Sequence, residues 1–348
     1  PRAAPPVAAP SRRQRHSQPK PGARRAVRAR GLDSMDVGRT MDEPFTLSGE
    51  GGFVRPESWN RPKRIILIRH AESEGNVDET VYQRKPDHRI ELTEKGKQQA
   101  RDAGEKLKAI LGPNESVYAY VSPYMRTEQT LYEIGQAIGT HRVLGVREEP
   151  RMREQDFGNF QDVGMAELKR ERQRFGRFFF RFPNGESAAD VYDRVTSFRE
   201  TLRNDMHFGR FNCDVTGCRT EDCTVVIVTH GLTLRVFLMR WYKWSVEMFE
   251  RCRNARNGEL VVMERGKGGR YTMLNEQNGQ DEEWLAKFGF NEEMIADQVW
   301  AKDAPVDGLN SEWPTSKGQM FFDNFPGRLE RTRAACAKWR TPSGVEID

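Results

Sequence analysis

This sequence lacks long apolar runs, an even number of cysteines and acidic residues near the N-terminus. No apolar stretch approaches the length that is needed to cross a bilayer, so we expect no membrane partner. The five cysteines are few and odd in number, which argues against a disulfide framework and favours a reducing, cytoplasmic location.

The first 32 residues contain neither Asp nor Glu and are rich in Pro, Ala and Arg. Such a segment cannot bury enough surface to offset its ordering entropy, so residues 1–44 are predicted to be a disordered basic segment. Organellar transit peptides are Arg-rich and poor in acidic residues, so a mitochondrial or plastid location is the alternative if residues 1–34 are such a peptide. Both interpretations remain open.

Residues 1–44 also carry the positive charge of the chain. They hold ten Arg or Lys and four Asp or Glu, whereas the remainder holds 46 basic and 47 acidic residues. The predicted folded part is therefore nearly neutral, and its bulk charge gives no reason to expect nucleic-acid binding.

Beyond residue 44, apolar strand-like runs alternate with segments of helical periodicity. Strands are predicted at Arg64–Ile68, Val117–Val121, Val143–Val146 and Thr224–Val228, with a hairpin formed by Leu260–Glu264 and Arg270–Leu274. Helices are predicted at Thr93–Leu111, Arg126–Ile138, Ala166–Phe182, Ala188–His207 and Leu232–Tyr242.

This alternation predicts a three-layer α/β fold, in which helices cover both faces of a mostly parallel open sheet. We place this domain at residues 45–276. Residues 277–348 have little periodicity until a helix near Leu329–Trp339, and we interpret them as an extension that packs on the domain through tryptophans.

Two of the six histidines follow buried strands in the same way, His70 after Arg64–Ile68 and Arg69, and His230 after Thr224–Val228 and Thr229. Ligands bind at the carboxyl ends of the strands in an open parallel sheet. If the two strands are neighbours, both histidines lie in one crevice. A lone histidine at such a place more often caps its strand, but a matched pair indicates a site.

Further polar residues follow the same strands. Arg69 precedes His70, and Asn76 lies six residues after it; a role as a turn or cap residue is the less favoured interpretation of that asparagine. Arg126 begins a helix, where free N–H groups add to anion affinity, and its planar fork suits phosphoryl oxygens. On the loop after the third strand, Glu154 and Asp156 both qualify as proton donors to a leaving oxygen.

Taken in order, these segments resemble a known family. The four signature segments of the histidine phosphatase superfamily, in its phosphoglycerate mutase-like branch, are similar to RHAESEGN, SPYMRTEQT, REQDFG and VTHG in this chain. The segment FPNGES, followed by DVYDRV, also resembles that branch. The resemblance spans about residues 62–265, and it implies a phosphoglycerate mutase-like sheet. Ala71 departs from the family, which more often has glycine at this position.

The resemblance also implies roles for individual residues. His70 matches the histidine that becomes phosphorylated. Glu154, four residues before Gly158, matches the proton donor, and Asp156 does not. The residues that match the phosphate pocket are Arg69, Asn76, Arg126, His230 and Gly231.

The expected chemistry is hydrolysis of a small phosphorylated substrate. Neutral His70 attacks phosphorus, the arginines and a protonated His230 bind the phosphoryl oxygens, and Glu154 protonates the leaving alcohol. We expect no metal and no cofactor, because the protein's own cations neutralise the phosphoryl charge. Hydrolysis is favoured over mutase-type transfer because the chain has no proline-rich stretch with additional basic residues between the third motif and His230.

Two alternatives stay open, namely phosphoglycerate mutase-type phosphoryl transfer, and a scaffold subunit with a vestigial site. In the second, the C-terminal extension would bind a protein partner. The sequence predicts no oligomeric state.

Three further groups of residues have two interpretations each. Phenylalanines 178, 179, 180 and 182 are either helix core or an apolar lid over the pocket. Arg84 and Lys85 either contact a second anionic group of the substrate or belong to a solvated loop. Cys213, Cys218 and Cys223 recur every five residues, but this spacing matches no common zinc pattern, so a structural role is favoured over a metal site.

Overall fold

The computed structural model describes residues 61–113, 115–158, 165–213, 217–304 and 315–337. The strands in these ranges are β1 Arg64–Arg69, β2 Ser116–Val121, β3 Val143–Glu148, β4 Cys223–Thr229, β5 Leu260–Arg265 and β6 Tyr271–Thr272. The helices are α1 Glu74–Val77, α2 Glu94–Ile110, α3 Met125–Ile138, α4 Met165–Phe175, α5 Ala188–His207, α6 Gly231–Tyr242, α7 Val246–Arg251, α8 Glu282–Phe288, α9 Glu292–Asp303 and α10 Thr315–Ala337. Of the helices in this part of the chain, none is both long and apolar enough to cross a membrane.

The strands form one sheet in the order β3-β2-β4-β1-β5-β6. Strands β3, β2, β4 and β1 run parallel to one another, and β5 and β6 complete the sheet as the expected antiparallel hairpin, with β5 antiparallel to β1. The chain runs from β1 to β2, which lies two positions away in the sheet. After β3 it returns, and β4 occupies the position between β1 and β2. The predicted mostly parallel α/β sheet is confirmed, and its strand order reverses beside β4, where open sheets bind ligands.

The apolar residues of β1 explain why helices cover both faces. Ile65 and Leu67 point into one core, together with residues of α5 and α6, whereas Ile66 and Ile68 point into another that includes residues of α2 and α3. Because successive side chains of a strand alternate between faces, a run that is apolar at every position must be buried on both sides. The predicted three-layer arrangement is therefore confirmed.

The start of α2 holds the loop that follows β1. Thr93 caps the helix by accepting a hydrogen bond from Gly96 N at 2.9 Å, as its sequence position predicts. Thr93 N also donates to the carbonyl oxygen of Glu72 at 3.0 Å. A Cβ at Gly96 would lie only 1.9 Å from that oxygen, so glycine permits the close approach of helix and loop.

Two helix predictions are wrong in extent. The helix predicted at Ala166–Phe182 ends at Phe175, because Gly176 adopts a positive φ of 89° and Glu250 accepts a hydrogen bond from Phe178 N. The helix predicted near Leu329–Trp339 already begins at Thr315 and includes Pro326, and it is described to Ala337.

The C-terminal part of the chain contributes to the main core. Leu285 and Phe288 of α8 belong to the same apolar cluster as α5 and α6, and Gln298 of α9 accepts a hydrogen bond from Met273 N at 2.7 Å. The boundaries 45–276 and 277–348 remain predictions. The segment 1–44 lies outside the described residues.

Candidate active site

Strands β1 and β4 are parallel neighbours, with Arg69 opposite Thr229. His70 and His230 therefore leave the sheet side by side, and their ring centroids lie 5.2 Å apart. Both side chains are buried. The prediction that the two histidines meet in one crevice is confirmed, because it required only that their strands be adjacent.

The hydrogen bonds of His70 define which ring nitrogen is reactive. Nδ1 lies 2.8 Å from the carbonyl oxygen of Ala71, and a carbonyl can only accept, so Nδ1 carries the hydrogen. Burial, followed by the charges of Arg126 and Arg69, lowers the pKa of His70 well below its usual value. The ring is therefore neutral at physiological pH, and Nε2 keeps an unprotonated lone pair.

His230 differs from its sequence-based prediction. Its Nε2 lies 2.7 Å from the hydroxyl oxygen of Ser122. Burial, followed by the charges of Arg126 and neighbouring groups, lowers the pKa of His230 well below 6.5. The expectation of a protonated His230 is therefore wrong for the unliganded protein, because removing an imidazolium from water beside an arginine is unfavourable.

Arg126 lies in the first turn of α3 and is buried. Its Nη1 donates to both the carbonyl oxygen of Asp87, at 2.7 Å, and the carboxylate oxygen of the same residue, at 2.8 Å. The guanidinium also lies over the ring of Tyr124, 4.8 Å from its centroid. Since these bonds use both hydrogens of Nη1, the Nε and Nη2 edge remains to donate two parallel bonds to a phosphoryl group.

Arg69, the last residue of β1, has few partners. Nη1 donates to the carbonyl oxygen of Ala255 at 2.8 Å, and the buried Nε has no hydrogen-bond partner among the described residues. Burial lowers the pKa of Arg69, an effect that the carboxylate of Glu154 opposes. A cation with an unsatisfied buried donor is expected to attract an anion.

Asn76 is held by three donors to its side-chain oxygen. Oδ1 accepts hydrogen bonds from Ser73 N at 3.1 Å, Ser73 Oγ at 3.2 Å and Asn257 Nδ2 at 3.0 Å. These bonds fix the orientation of the amide and leave Nδ2 available as a donor. Asn257 also donates to the carbonyl oxygen of His70 at 3.0 Å, so it connects the two residues.

Glu154 lies at the N-terminus of α6, near the two histidines. Its Oε1 accepts from Thr233 N at 3.3 Å and from Thr233 Oγ1 at 3.2 Å, where the positive end of the helix dipole is located. Arg194 holds this loop by donating to the carbonyl oxygen of Glu154 at 3.0 Å. Asp156 is exposed and accepts from Gly158 N, so the structure places Glu154 and not Asp156 at the crevice.

Gly231 is the first residue of α6, directly after His230. A Cβ at this position would lie 3.0 Å from Asn254 Nδ2 and 3.3 Å from Arg69 Nε. Glycine therefore lets the guanidinium of Arg69 approach the start of the helix, where free backbone N–H groups favour an anion.

A family model for the histidine phosphatase superfamily (branch 1) matches residues 65–277. This chain belongs to the histidine phosphatase superfamily. It is 50% identical to "Phosphoglycerate mutase-like protein AT74" of Arabidopsis thaliana over 278 residues, which cover 78% of this chain and 84% of that protein. It is also 34% identical to "Broad-range acid phosphatase DET1" of Saccharomyces cerevisiae, an alignment that covers 59% of this chain and 86% of that protein.

All the residues that the resemblance to the superfamily singles out are described, and they lie at the carboxyl ends of β1 to β4 or on the segments that follow these strands. Their catalytic roles remain predictions. Ser122, Asp87 and Asn257 are among the residues that contact them and that the sequence did not single out. Ser122 directly follows β2, so its position at the carboxyl end of a strand could have predicted it as a site residue. Asp87 and Asn257 gave no local signal, because their partners lie 39 and 181 residues away in the chain.

The remaining sequence candidates have other contacts. Lys85 and Arg84 pair with Glu74 and Asp78 in half-buried to exposed positions, which favours the solvated-loop interpretation. No group of three metal-ligating side chains occurs among the described residues, cysteines 213, 218 and 223 included.

The phenylalanines do not form a helix core as predicted. Phe178 and Phe182 are buried in a turn segment, and Phe179 is 68% exposed. Phe182 packs edge-on against Phe157, three residues after Glu154. The lid interpretation remains a prediction.

Proposed function

We propose that this chain is a phosphatase that hydrolyses phosphomonoesters through a phosphohistidine formed on His70. The observation that carries this proposal is the tautomer of His70. The hydrogen bond from Nδ1 to Ala71 leaves a lone pair on Nε2, in a crevice where Arg69 and Arg126 both have donors to spare. A nucleophile and its anion-binding cations are thus assembled before substrate arrives.

The first step transfers the phosphoryl group to the enzyme. His70 Nε2 forms a bond to phosphorus as the bond to the leaving oxygen breaks, and protonated Glu154 gives its proton to that oxygen. Arg69 and Arg126, with His230 and Asn76, bind the phosphoryl oxygens, whose charge spreads in the transition state. The products of this step are the free alcohol and phosphohistidine.

The second step returns the enzyme to its starting state. The Glu154 carboxylate accepts a proton from water, the water oxygen bonds to phosphorus, and the bond from phosphorus to Nε2 breaks. Inorganic phosphate leaves, and Glu154 is again protonated. Glu154 fits both steps by its position, because hydrogen bonds from Thr233 hold its carboxyl group at the start of α6, next to His230.

Hydrolysis is supported over transfer by two observations. The yeast relative is named as a broad-range acid phosphatase. Residues 159–229 of this chain contain a single proline, Pro183, so the proline-rich stretch of the mutases has no counterpart. The Arabidopsis relative is named for its likeness to phosphoglycerate mutase, which makes mutase-type transfer the second candidate.

The test is phosphate release from a panel of phosphomonoesters, run beside a mutase assay with bisphosphoglycerate. We expect phosphate release by the wild type and at least about a 10³-fold loss in His70→Asn. The exposed His141 offers a matched control, and His141→Asn should keep full activity. Unchanged release by His70→Asn would overturn the proposal, mutase turnover would favour the second candidate, and no turnover of either kind would favour a scaffold.

A further inference from the structure

The contact between Ser122 and His230 raises a question of proton placement. Both side chains are buried, and the distance from Ser122 Oγ to His230 Nε2 is 2.7 Å. Within the described part of the chain, this is the sole hydrogen bond of the Ser122 hydroxyl. Nδ1 of His230 is buried too and has no hydrogen-bond partner there.

Counting donors and acceptors decides between the two neutral tautomers. If Nε2 carried the hydrogen, it would donate to Ser122, and two buried groups would stay unsatisfied: the serine O–H and the Nδ1 lone pair. If Ser122 donates to Nε2 instead, the hydrogen is on Nδ1, and only that N–H lacks a partner. Each orphaned buried group is unfavourable, so the second arrangement is preferred.

We infer that Ser122 is a positioning residue, whose hydroxyl donates to Nε2 of His230 and thereby keeps on Nδ1 a hydrogen for a phosphoryl oxygen to accept. The inference rests on the proposed function, since a phosphoryl oxygen satisfies the orphaned N–H. In a histidine, the bond made by one nitrogen determines whether the other is protonated.

The two histidines then have the same tautomer but opposite roles. In His70 the carbonyl of Ala71 uses the Nδ1 hydrogen, and the bare Nε2 is the nucleophile. In His230 the Ser122 hydroxyl occupies the bare Nε2, and the Nδ1 hydrogen is the free group. Burial and the neighbouring arginine lower the pKa of His230, so an imidazolium does not supply this donor in the unliganded protein.

Nitrogen NMR of the full-length protein labelled at histidine tests the tautomer directly. The His230 signals are assigned by their loss in His230→Gln. In the wild type we expect the hydrogen on Nδ1 and an acceptor-type Nε2, both without ligand and with vanadate bound. A hydrogen on Nε2 would overturn the inference. This readout needs no turnover, so it stands apart from any failure of the proposed phosphatase activity.

Two variants then test the role of the hydroxyl. Ser122→Ala should give a mixture of His230 tautomers, with vanadate affinity and kcat/KM about tenfold lower, less than the roughly 10²- to 10³-fold cost of losing an oxyanion donor outright. Ser122→Thr keeps the hydroxyl and should restore one tautomer and most of the activity. If folded Ser122→Ala keeps the single tautomer or wild-type kcat/KM, the inference is wrong. If neither variant folds, the wild-type spectrum decides.

Discussion

Strand β1 begins and ends with an arginine, and the two side chains have opposite surroundings. Arg64, at the amino end, donates from Nη1 to both carboxylate oxygens of Glu115, at 2.6 and 2.8 Å, and its Nε lies 3.2 Å from Glu264. Thr224 Oγ1 and the Gly112 backbone N–H bind the same Glu115 carboxylate. The Arg69 side chain, at the carboxyl end, donates to one group among the described residues, the carbonyl oxygen of Ala255.

The difference separates stability from function within one strand. At the amino end, the Arg64 Nε makes no hydrogen bond either, but the buried charge is matched by the carboxylates of Glu115 and Glu264, so it is neutralised without a ligand. At the carboxyl end, cations and ring nitrogens keep donors or lone pairs unused, which is unfavourable until an anion binds. Two arginines of one strand should therefore respond differently to the same substitution.

Arg69→Met tests the carboxyl end and should have the largest effect on activity. We expect kcat/KM for phosphomonoesters to fall about 10²- to 10³-fold, since one cation of the phosphate pocket is lost. The free energy of unfolding should change by no more than about 1 kcal/mol, because only one hydrogen bond to a carbonyl is removed. Chemical denaturation and steady-state kinetics on the same preparation measure both. A large loss of stability with intact kcat/KM would contradict the comparison.

Arg64→Met is the matched change at the amino end. It leaves the buried Glu115 carboxylate without its main counter-charge, and we expect the free energy of unfolding to fall by about 3–5 kcal/mol. The kcat of the folded fraction should stay at the wild-type value, because no site residue contacts Arg64. Denaturant midpoints and kcat, measured where the variant is fully folded, test this expectation. If activity fell as much as in Arg69→Met, the two ends would not be independent.

The stability that the two ends of β1 contribute should also be lost in different pH ranges. This effect is smaller than those of the two substitutions. The pKa values of His70 and His230 are lowered by burial, so the unfolded chain takes up protons first as pH falls below about 6.5. Stability is then lost by up to about 1.4 kcal/mol per pH unit for each histidine. Burial raises the pKa of Glu115, but hydrogen bonds from Thr224 and Gly112 and the Arg64 charge outweigh it, so its contribution is lost only at more acidic pH.

Denaturation of the wild type and of His230→Gln at pH values between about 7 and 5 measures this effect. The variant should show a shallower loss of stability, because one of the two neutral buried histidines is gone. Equal slopes would mean that His230 is not held neutral in the folded protein.

Much of this fold was predictable because its signals are local. The apolar run before Arg69 and His70 predicts a strand buried on both faces, and the matching run before His230 predicts its neighbour. Parallel pairing then brings the two histidines together without further information. The end of α4 was missed because Gly176 takes a positive φ and Phe178 N donates to Glu250, 72 residues away, and helical periodicity does not record such a contact.

The site was predictable in its residues but less so in their protonation. Glu154 and Arg126 follow from motif position, whereas the charge of His230 depends on burial and on its distance from other cations. These arise only from the packed structure, and they reverse the expectation of an imidazolium. The same holds for Asp87, whose contact with Arg126 joins segments that share no local pattern.

The central claim is that His70 becomes phosphorylated during turnover, and trapping that intermediate tests it most directly. The wild type is mixed with a radiolabelled phosphomonoester, quenched in alkaline denaturant within the first turnover, and digested into peptides. We predict an acid-labile, alkali-stable label on the peptide that contains His70, and no label in His70→Asn. Label on another residue, or phosphate release by the wild type without any labelled enzyme, would contradict the account.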